Sequence, residues 1–368
     1  MDTVTHVLFG TVCTLAIFRN RSAPARELPM RLAVAGTAAA FPDIDYLGFW
    51  IDPLLFLADW HRTATHSLLL MPLWAGVLAL PWMFSPWARR EWLSVYALCA
   101  LGISSQILLD LLTVFGIRLF YPLSFSLYAI GTSFVIDWIV TVLLAATLFY
   151  GLHHPGRLVA LSGLLLLSLY LGSQWGLRSH AHTIVAERLP EAANLQLLPQ
   201  PFSPFYWQVI NRTDNGYEVA YLSLLADREA FISHYRGADS LAWRKESLLG
   251  NDRDNAALIE EAWRQPRFLK FREFARFPIL YRLDRERDET CVWFTDLRYT
   301  LPYMTPAFRY GMCRQQERGW LLYRLKRFTH NDRQRLSSDK SLSNRIAPSP
   351  LSEKSETQRP HSQSYYLY

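Results

Sequence analysis

The first 176 residues of this chain form a succession of apolar runs, and histidines and aspartates recur at the ends of those runs. That pattern leaves few ways to fold. Inside a bilayer every backbone amide must be bonded internally, so apolar runs of this length become helices packed against one another. Ionisable side chains are costly there, and where several recur they mark a site. The two densest groups are Pro42-Asp43-Ile44-Asp45 and His61-Arg62-Thr63-Ala64-Thr65-His66-Ser67.

Apolar length predicts about five or six membrane helices. They run approximately from Thr3 to Phe18, Glu27 to Phe41, Thr65 to Phe84, Glu91 to Leu112, Thr132 to Leu152 and Leu158 to Gly176. The first stretch lacks a basic leader and a small-residue cleavage site, so it is expected to stay in the chain. The stretch from Tyr46 to Leu57, broken by Pro53, is too short to span and reads as re-entrant or interfacial.

After Gly176 charged residues become frequent. Strand-like segments at Tyr206 to Ile210, Tyr217 to Leu225, Cys291 to Tyr299 and Trp320 to Phe328, with helical patterns at Asp227 to Tyr235 and Asn255 to Phe274, describe an α+β domain. The Pro-rich stretch from Leu198 to Pro204 reads as a linker or turn. The expected fold class is therefore a mainly α membrane bundle over residues 1–176, a soluble α+β domain over 177–330, and a Ser-, Arg- and Lys-rich disordered tail over 331–368.

Helix direction gathers the polar residues. His6 lies near the start of the first helix, Asp43 and Asp45 follow the second, and His61 and His66 open the third. Asp110 lies near the end of the fourth and Asp137 near the start of the fifth. In an up-and-down bundle all of these fall on one side of the membrane. The opposite connections carry Arg19, Arg21, Arg26 and Arg31, then Arg89 and Arg90, then Arg157, which places them in the cytoplasm. The site and the C-terminal domain are then expected to be extracytoplasmic. Cys291 and Cys313 could pair in that compartment, whereas Cys13 and Cys99 read as small buried hydrophobes. The formal charge of +6 is better read by location than as a whole-protein basicity, and no DNA- or RNA-reading pattern accompanies it, so nucleic acid is not an expected partner.

A second helix from Glu27 to Phe41 rises about 22 Å, short of a hydrocarbon layer of about 30 Å. Asp43 and Asp45 would sit below the interface in a polar bowl, with Pro42 ending the helix. Imidazoles and carboxylates suit zinc, manganese or iron. His61 and His66 are about 140° apart on an uninterrupted helix, so His61 is expected in the turn and only His66 on the helix. Arg62 either binds an anionic substrate through its guanidinium or pairs with Asp59 or Asp137. Asp137 is a candidate general base, and Thr65 and Ser67 could orient ligands or cap a helix.

These motifs resemble the YdjM-type family of bacterial membrane-bound metal-dependent hydrolases. The resemblance rests on Thr5-His6 with Leu8-Phe9, the PDID run from Pro42 to Asp45, HRTATHSLL from His61 to Leu69, and LLDLLTVFGIRLFYPLS from Leu108 to Ser124. It implies an inner-membrane protein with His6, Asp43, Asp45, His61, His66 and Asp110 as metal ligands, zinc favoured over manganese or iron, and one or two ions. It departs from the family at Gln106, where a histidine is common four residues before the helix-four aspartate. Positions four apart share a helix face, so a neutral amide there weakens the case for a second ion.

Three functions follow. The first is hydrolysis of a phosphoester or other ester, with membrane lipid as a candidate substrate. The second is an ion- or proton-coupled transporter, and the third a structural or regulatory protein whose metal locks the bundle. The polar groups gather on one side of the membrane instead of crossing it, which favours the hydrolase.

Overall fold

The computed structural model describes residues 1–19, 27–154, 156–189, 194–225, 234–250, 253–286, 288–315, 319–327, 329–336 and 364–366. Helix α1 (Thr3–Phe18) begins where the Asp2 carboxylate accepts the Thr5 amide, and α2 (Leu28–Ala40) has a proline in its first turn, where a missing amide costs nothing. Pro42 cannot continue an α-helix. The chain instead tightens into a ten-residue 3-10 helix, Phe41–Trp50. Asp52 then caps a short α3 (Pro53–Leu55) by accepting the Leu54 and Leu55 amides, and a π turn, Phe56–Trp60, leads into His61.

Beyond the histidine turn come α4 (Met71–Ala79), α5 (Pro86–Arg90), α6 (Trp92–Leu111), α7 (Trp138–His153) and α8 (Leu158–Arg188). Asp137 caps α7 through the Ile139 and Val140 amides. α1, α2 and α6 approach closely because small residues line the contact: Gly10 faces Ala39, and Gly102 faces the Ala35 carbonyl and the Ala38 side chain.

The membrane helices are fewer than expected. Two, α6 and α8, are long and apolar enough to cross, or three if the bent pair Pro53–His66 and Met71–Phe84, at 74° to each other, forms one broken span. α1 and α7 are apolar but have 16 residues each, and α2 has 13. Sixteen residues rise about 24 Å, less than the hydrocarbon thickness. The expected third helix is interrupted: His66 sits in a single 3-10 turn, Ala64–His66, and the α-helix begins five residues later at Met71. His66 is therefore not helical in the sense expected. The last helix, in contrast, continues past Gly176 to Arg188.

Leu127–Ala129 forms β1, and two antiparallel sheets build the C-terminal region. The first joins β2 (Leu195–Pro199), β3 (Tyr206–Thr213), β4 (Gly216–Ser223) and β5 (Arg244–Glu246) in sequence order. The stretch read as a linker thus begins inside a strand. Helices α9 (Ala256–Arg264) and α10 (Leu269–Phe274), separated by Pro266, precede the second sheet. That sheet contains β6 (Pro278–Glu286), β7 (Glu289–Asp296), β8 (Arg309–Gln315), β9 (Gly319–Leu325) and β10 (Arg333–Arg335).

Alternation on β7 sends Val292 and Phe294 into a core with Phe268 and Phe271, and Cys291 and Trp293 to the opposite face. Cys291 and Cys313, opposite each other across β7 and β8, form a disulfide. The helix expected at Asp227 to Tyr235 falls largely outside the described residues, as does most of the tail. Within the tail, Arg333–Arg335 is the strand β10, and Ser364–Tyr366 is β11, which pairs in parallel with β1.

The two halves of the chain meet at the segment between the PDID run and the histidines. Leu54 of α3 is buried in the same core as Ile259, Phe268 and Phe271. Lys270 of α10 pairs with Asp59 at 2.7 Å, and Phe115 stacks on Tyr299 with ring centroids 5.1 Å apart.

Candidate metal centre

Three helices and one turn deliver the polar side chains. His6 lies one turn into α1 and is fully buried. α2 ends three residues before Asp43. On α6, Gln106 and Asp110 are four residues apart on one face, both buried. The histidine turn has no regular ladder, so its shape depends on other bonds. The Arg118 guanidinium donates to the Ala58 and Asp59 carbonyls and to the Thr63 hydroxyl, and Ser67 Oγ donates to the Tyr121 carbonyl at 2.6 Å. The Arg62 amide donates to Asp45 Oδ2 at 3.0 Å. These contacts hold Arg62 at a φ of 59°, a left-handed backbone that L-residues other than glycine seldom adopt.

Four of the expected ligands come together. Ligand atoms of His6, Asp43 and Asp110 all lie within 4.8 Å of one another. His66 Nε2 is 3.2 Å from Asp110 Oδ2 and 3.8 Å from Asp43 Oδ1. His6 Nε2 is 3.5 Å from Asp110 Oδ1. Asp110 also pairs with the Met1 amino group and, at 2.9 Å, with Arg62 Nη2. Buried His6 Nδ1 has no hydrogen-bond partner, and buried Asp110 Oδ2 has none besides its approach to His66 Nε2.

The remaining two candidates form an adjoining pair. His61 Nδ1 is 3.1 Å from Asp45 Oδ1, and its ring packs on Phe56 at 4.8 Å. Asp45 Oδ2 lies 3.7 Å from His66 Nδ1, so one carboxylate connects both imidazoles. His61 is partly open to solvent whereas His66 is fully buried.

Gln106 occupies the position where the sequence departs from the family. Its Nε2 donates to Asp43 Oδ1 at 2.7 Å and lies 3.5 Å from His66 Nε2, while its Oε1 is buried and unpartnered. Thr3, which carries no signal in the sequence, donates to Asp43 Oδ2 at 2.5 Å. Asp43 is thus fixed from two helices.

Arg62 and Asp137 are placed differently from one another. Arg62 pairs with neither Asp59 nor Asp137. Its guanidinium donates to Asp110 and to the Thr113 hydroxyl, leaving the buried Nε without a partner. The Asp137 carboxylate caps α7 and accepts from Tyr170 Oη at 2.9 Å and Gln174 Nε2 at 2.7 Å, in a polar group between α7 and α8. Thr65 Oγ1 lies 3.0 Å from His66 Nδ1, and the 3-10 turn Ala64–His66 has no side-chain cap.

The donors present are two imidazoles and two carboxylates, with His6 Nδ1 orphaned and Asp110 Oδ2 met only by His66 in a buried space. This is a set that a divalent ion would satisfy. A second grouping, Glu289 with Cys291 and Cys313, offers no thiolate because the two sulfurs are bonded to each other.

No curated protein and no solved structure matches the chain. A family comparison does. The match begins at the first residue and takes in α1, the PDID 3-10 helix, the histidine turn and α6, and it ends within α8. Residues 1–181, the part of the chain that holds every residue of the cluster, match the sequence model of the YdjM inner membrane protein family.

Proposed function

We propose that this membrane protein is a metal-dependent hydrolase that holds one divalent ion between His6, Asp43, His66 and Asp110 and cleaves a phosphoester, with a lipid as the favoured substrate. The observation that carries this reading is the convergence of His6, Asp43 and Asp110 within 4.8 Å, with His66 Nε2 against both carboxylates. Zinc is favoured over manganese or iron by the two imidazoles. When bound, such an ion supplies Lewis acidity to a phosphoryl oxygen and acidifies water.

The chain's own residues supply the rest. Asp45 fixes the His61 ring through Nδ1, which leaves Nε2 to accept or return a proton in the partly open part of the site. Gln106 and Thr3 hold Asp43 in place. Arg62 compensates the charge of buried Asp110, and its committed donors argue against a direct grip on substrate. With four inner donors and an amide at position 106, the site is suited to one ion more than to two.

We place the site and the C-terminal region on the extracytoplasmic side. The arginine-rich loops support this orientation, and so does the Cys291–Cys313 disulfide, because such bonds persist in oxidising compartments. A reporter fused at Gln200 that is active only in the cytoplasm would overturn it.

Metal analysis of the purified protein tests the main reading. One equivalent of zinc is expected in the wild type, with loss in both His66→Ala and Asp43→Ala. Protein purified gently and free of metal would remove the premise. Metal-loaded protein that is inert on phosphoesters and drives ion flux in liposomes would favour the transporter.

A further inference from the structure

The 3-10 helix Phe41–Trp50 has three residues per turn, so side chains three apart lie directly above one another. Its ten residues therefore sort into three faces. Pro42, Asp45 and Gly48 form the inner face: Asp45 holds His61, and Gly48 lies so close to Trp60 that a Cβ there would fall 2.5 Å from its ring. Phe41, Ile44, Leu47 and Trp50 form a second face: Phe41 packs on Trp74, and the other three are 51%, 64% and 76% exposed. Asp43, Tyr46 and Phe49 form the third.

Two guanidiniums of the C-terminal region meet that third face. Arg324 Cζ lies 4.9 Å from the Phe49 ring centre and Arg327 Cζ lies 5.5 Å from it. Neither has a carboxylate partner among the described residues. Arg324 donates to the neutral Gln334 side chain, and Arg327 also packs on Phe308. This helix thus supplies Asp43 to the buried cluster from its first turn, carries an exposed apolar stripe along one face, and meets at Phe49 two arginines without a carboxylate partner among the described residues.

We propose that the Phe41–Trp50 helix, together with Arg324 and Arg327, binds an anionic phospholipid. Ile44, Leu47 and Trp50 lie against the acyl chains, and the two guanidiniums take the headgroup phosphate. An apolar stripe next to unpaired basic charge is the pattern that holds a segment at an anionic lipid surface. Guanidinium geometry matches phosphate oxygens and packs on aromatic rings at the same time. This deepens the proposed function by naming the lipid class presented to the cluster. That link rests on the hydrolase reading, whereas the binding itself does not.

The test is native mass spectrometry of the full chain in detergent with equimolar dioleoyl phosphatidylglycerol and dioleoyl phosphatidylcholine, with zinc content measured on the same samples. Wild type is expected to retain the phosphatidylglycerol in excess. Each arginine near an anionic surface is worth about fivefold, so Arg324→Gln with Arg327→Gln should reduce that excess about 25-fold while leaving zinc unchanged. Arg324→Lys with Arg327→Lys should restore most of it. Brominated acyl chains should quench the emission component that Trp50→Phe removes.

Equal retention of the two lipids by wild type, or an undiminished excess in the Gln variant, overturns the inference. Either result in zinc-loaded protein active on a soluble phosphoester leaves the hydrolase reading standing. Zinc-free protein that still selects phosphatidylglycerol supports the lipid site while the metal reading fails.

Discussion

Substituting Gly102 by alanine should weaken zinc binding at the proposed metal centre without touching any of its proposed ligands. A Cβ at Gly102 would lie 2.5 Å from the Ala35 carbonyl oxygen, 2.8 Å from the Ala38 Cβ and 2.9 Å from the Ala39 nitrogen. None of these atoms ends a flexible side chain, so relief requires α2 to move off α6 as a body by roughly 0.5–1 Å. α2 leads directly to Asp43, and α6 carries Gln106 and Asp110. Separating the two helices therefore stretches the Gln106–Asp43 bond of 2.7 Å and draws Asp43 away from His66 and Asp110.

Metal sites tolerate about 0.2 Å in ligand distance. Overpacking of this kind costs about 1–3 kcal/mol, which corresponds to about 5- to 150-fold in zinc affinity if expressed wholly at the site. The assay is zinc competition with a chromophoric chelator on purified protein. Gly172→Ala on α8 is the control, since nothing lies within 4 Å of its added methyl. Zinc affinity of wild-type strength in Gly102→Ala would refute the argument that helix spacing sets the cluster, as would equal weakening by Gly172→Ala.

Gln106→Ala removes the amide that fixes Asp43 and should weaken zinc binding about 10- to 100-fold, whereas Gln106→His should raise the zinc stoichiometry above that of wild type; both are read by metal analysis. In the C-terminal region, burial opposes ionisation of Asp296, yet Arg298 and the backbone amides of Arg298 and Arg276 outweigh it and hold the carboxyl below its ordinary range. A depressed folded value makes its contribution complete above the unfolded value of about 3.9 and lost as the pH falls through the folded one. Thermal melting should therefore decline below about pH 4, and Asp296→Asn, which removes the carboxylate charge that Arg298 faces, should cost about 3–5 kcal/mol at neutral pH and flatten that decline. Closing a loop of 22 residues, the Cys291–Cys313 bond should contribute about 3 kcal/mol, read as a lower urea midpoint under reductant. Unreduced protein should resist maleimide labelling at both of these cysteines.

Much of the candidate site was legible in the sequence because it is written in short motifs at helix ends. The PDID and HRTATHS runs, His6 and Asp110 each announced themselves as ionisable residues in apolar text, and the direction of the helices was enough to bring them to one side. Pro42 stopped its helix as its ring requires. The β-rich region was partly readable from alternation, but β2, β6 and β8 gave weaker patterns than the four strands that were recognised. Their side chains are chosen by neighbours distant in sequence, which local propensity does not record.

Spacing alone could not sort six candidate ligands into an inner group and an adjoining pair. His61 and His66 are five residues apart, and their relation depends on a turn held by Arg118 and Tyr121, more than fifty residues downstream. Likewise Arg62 found Asp110 instead of Asp59 or Asp137, because the left-handed backbone at Arg62 turns the side chain towards α6. Helix count failed for a related reason: apolar length measures what a segment can span, while caps, prolines and tertiary contacts decide where the backbone breaks. The sequence by itself determined which residue types are available for chemistry and that they lie in a membrane protein. Only the tertiary structure decided which of them lie within a few ångströms of one another, since small differences in helix spacing separate the inner cluster from the adjoining pair.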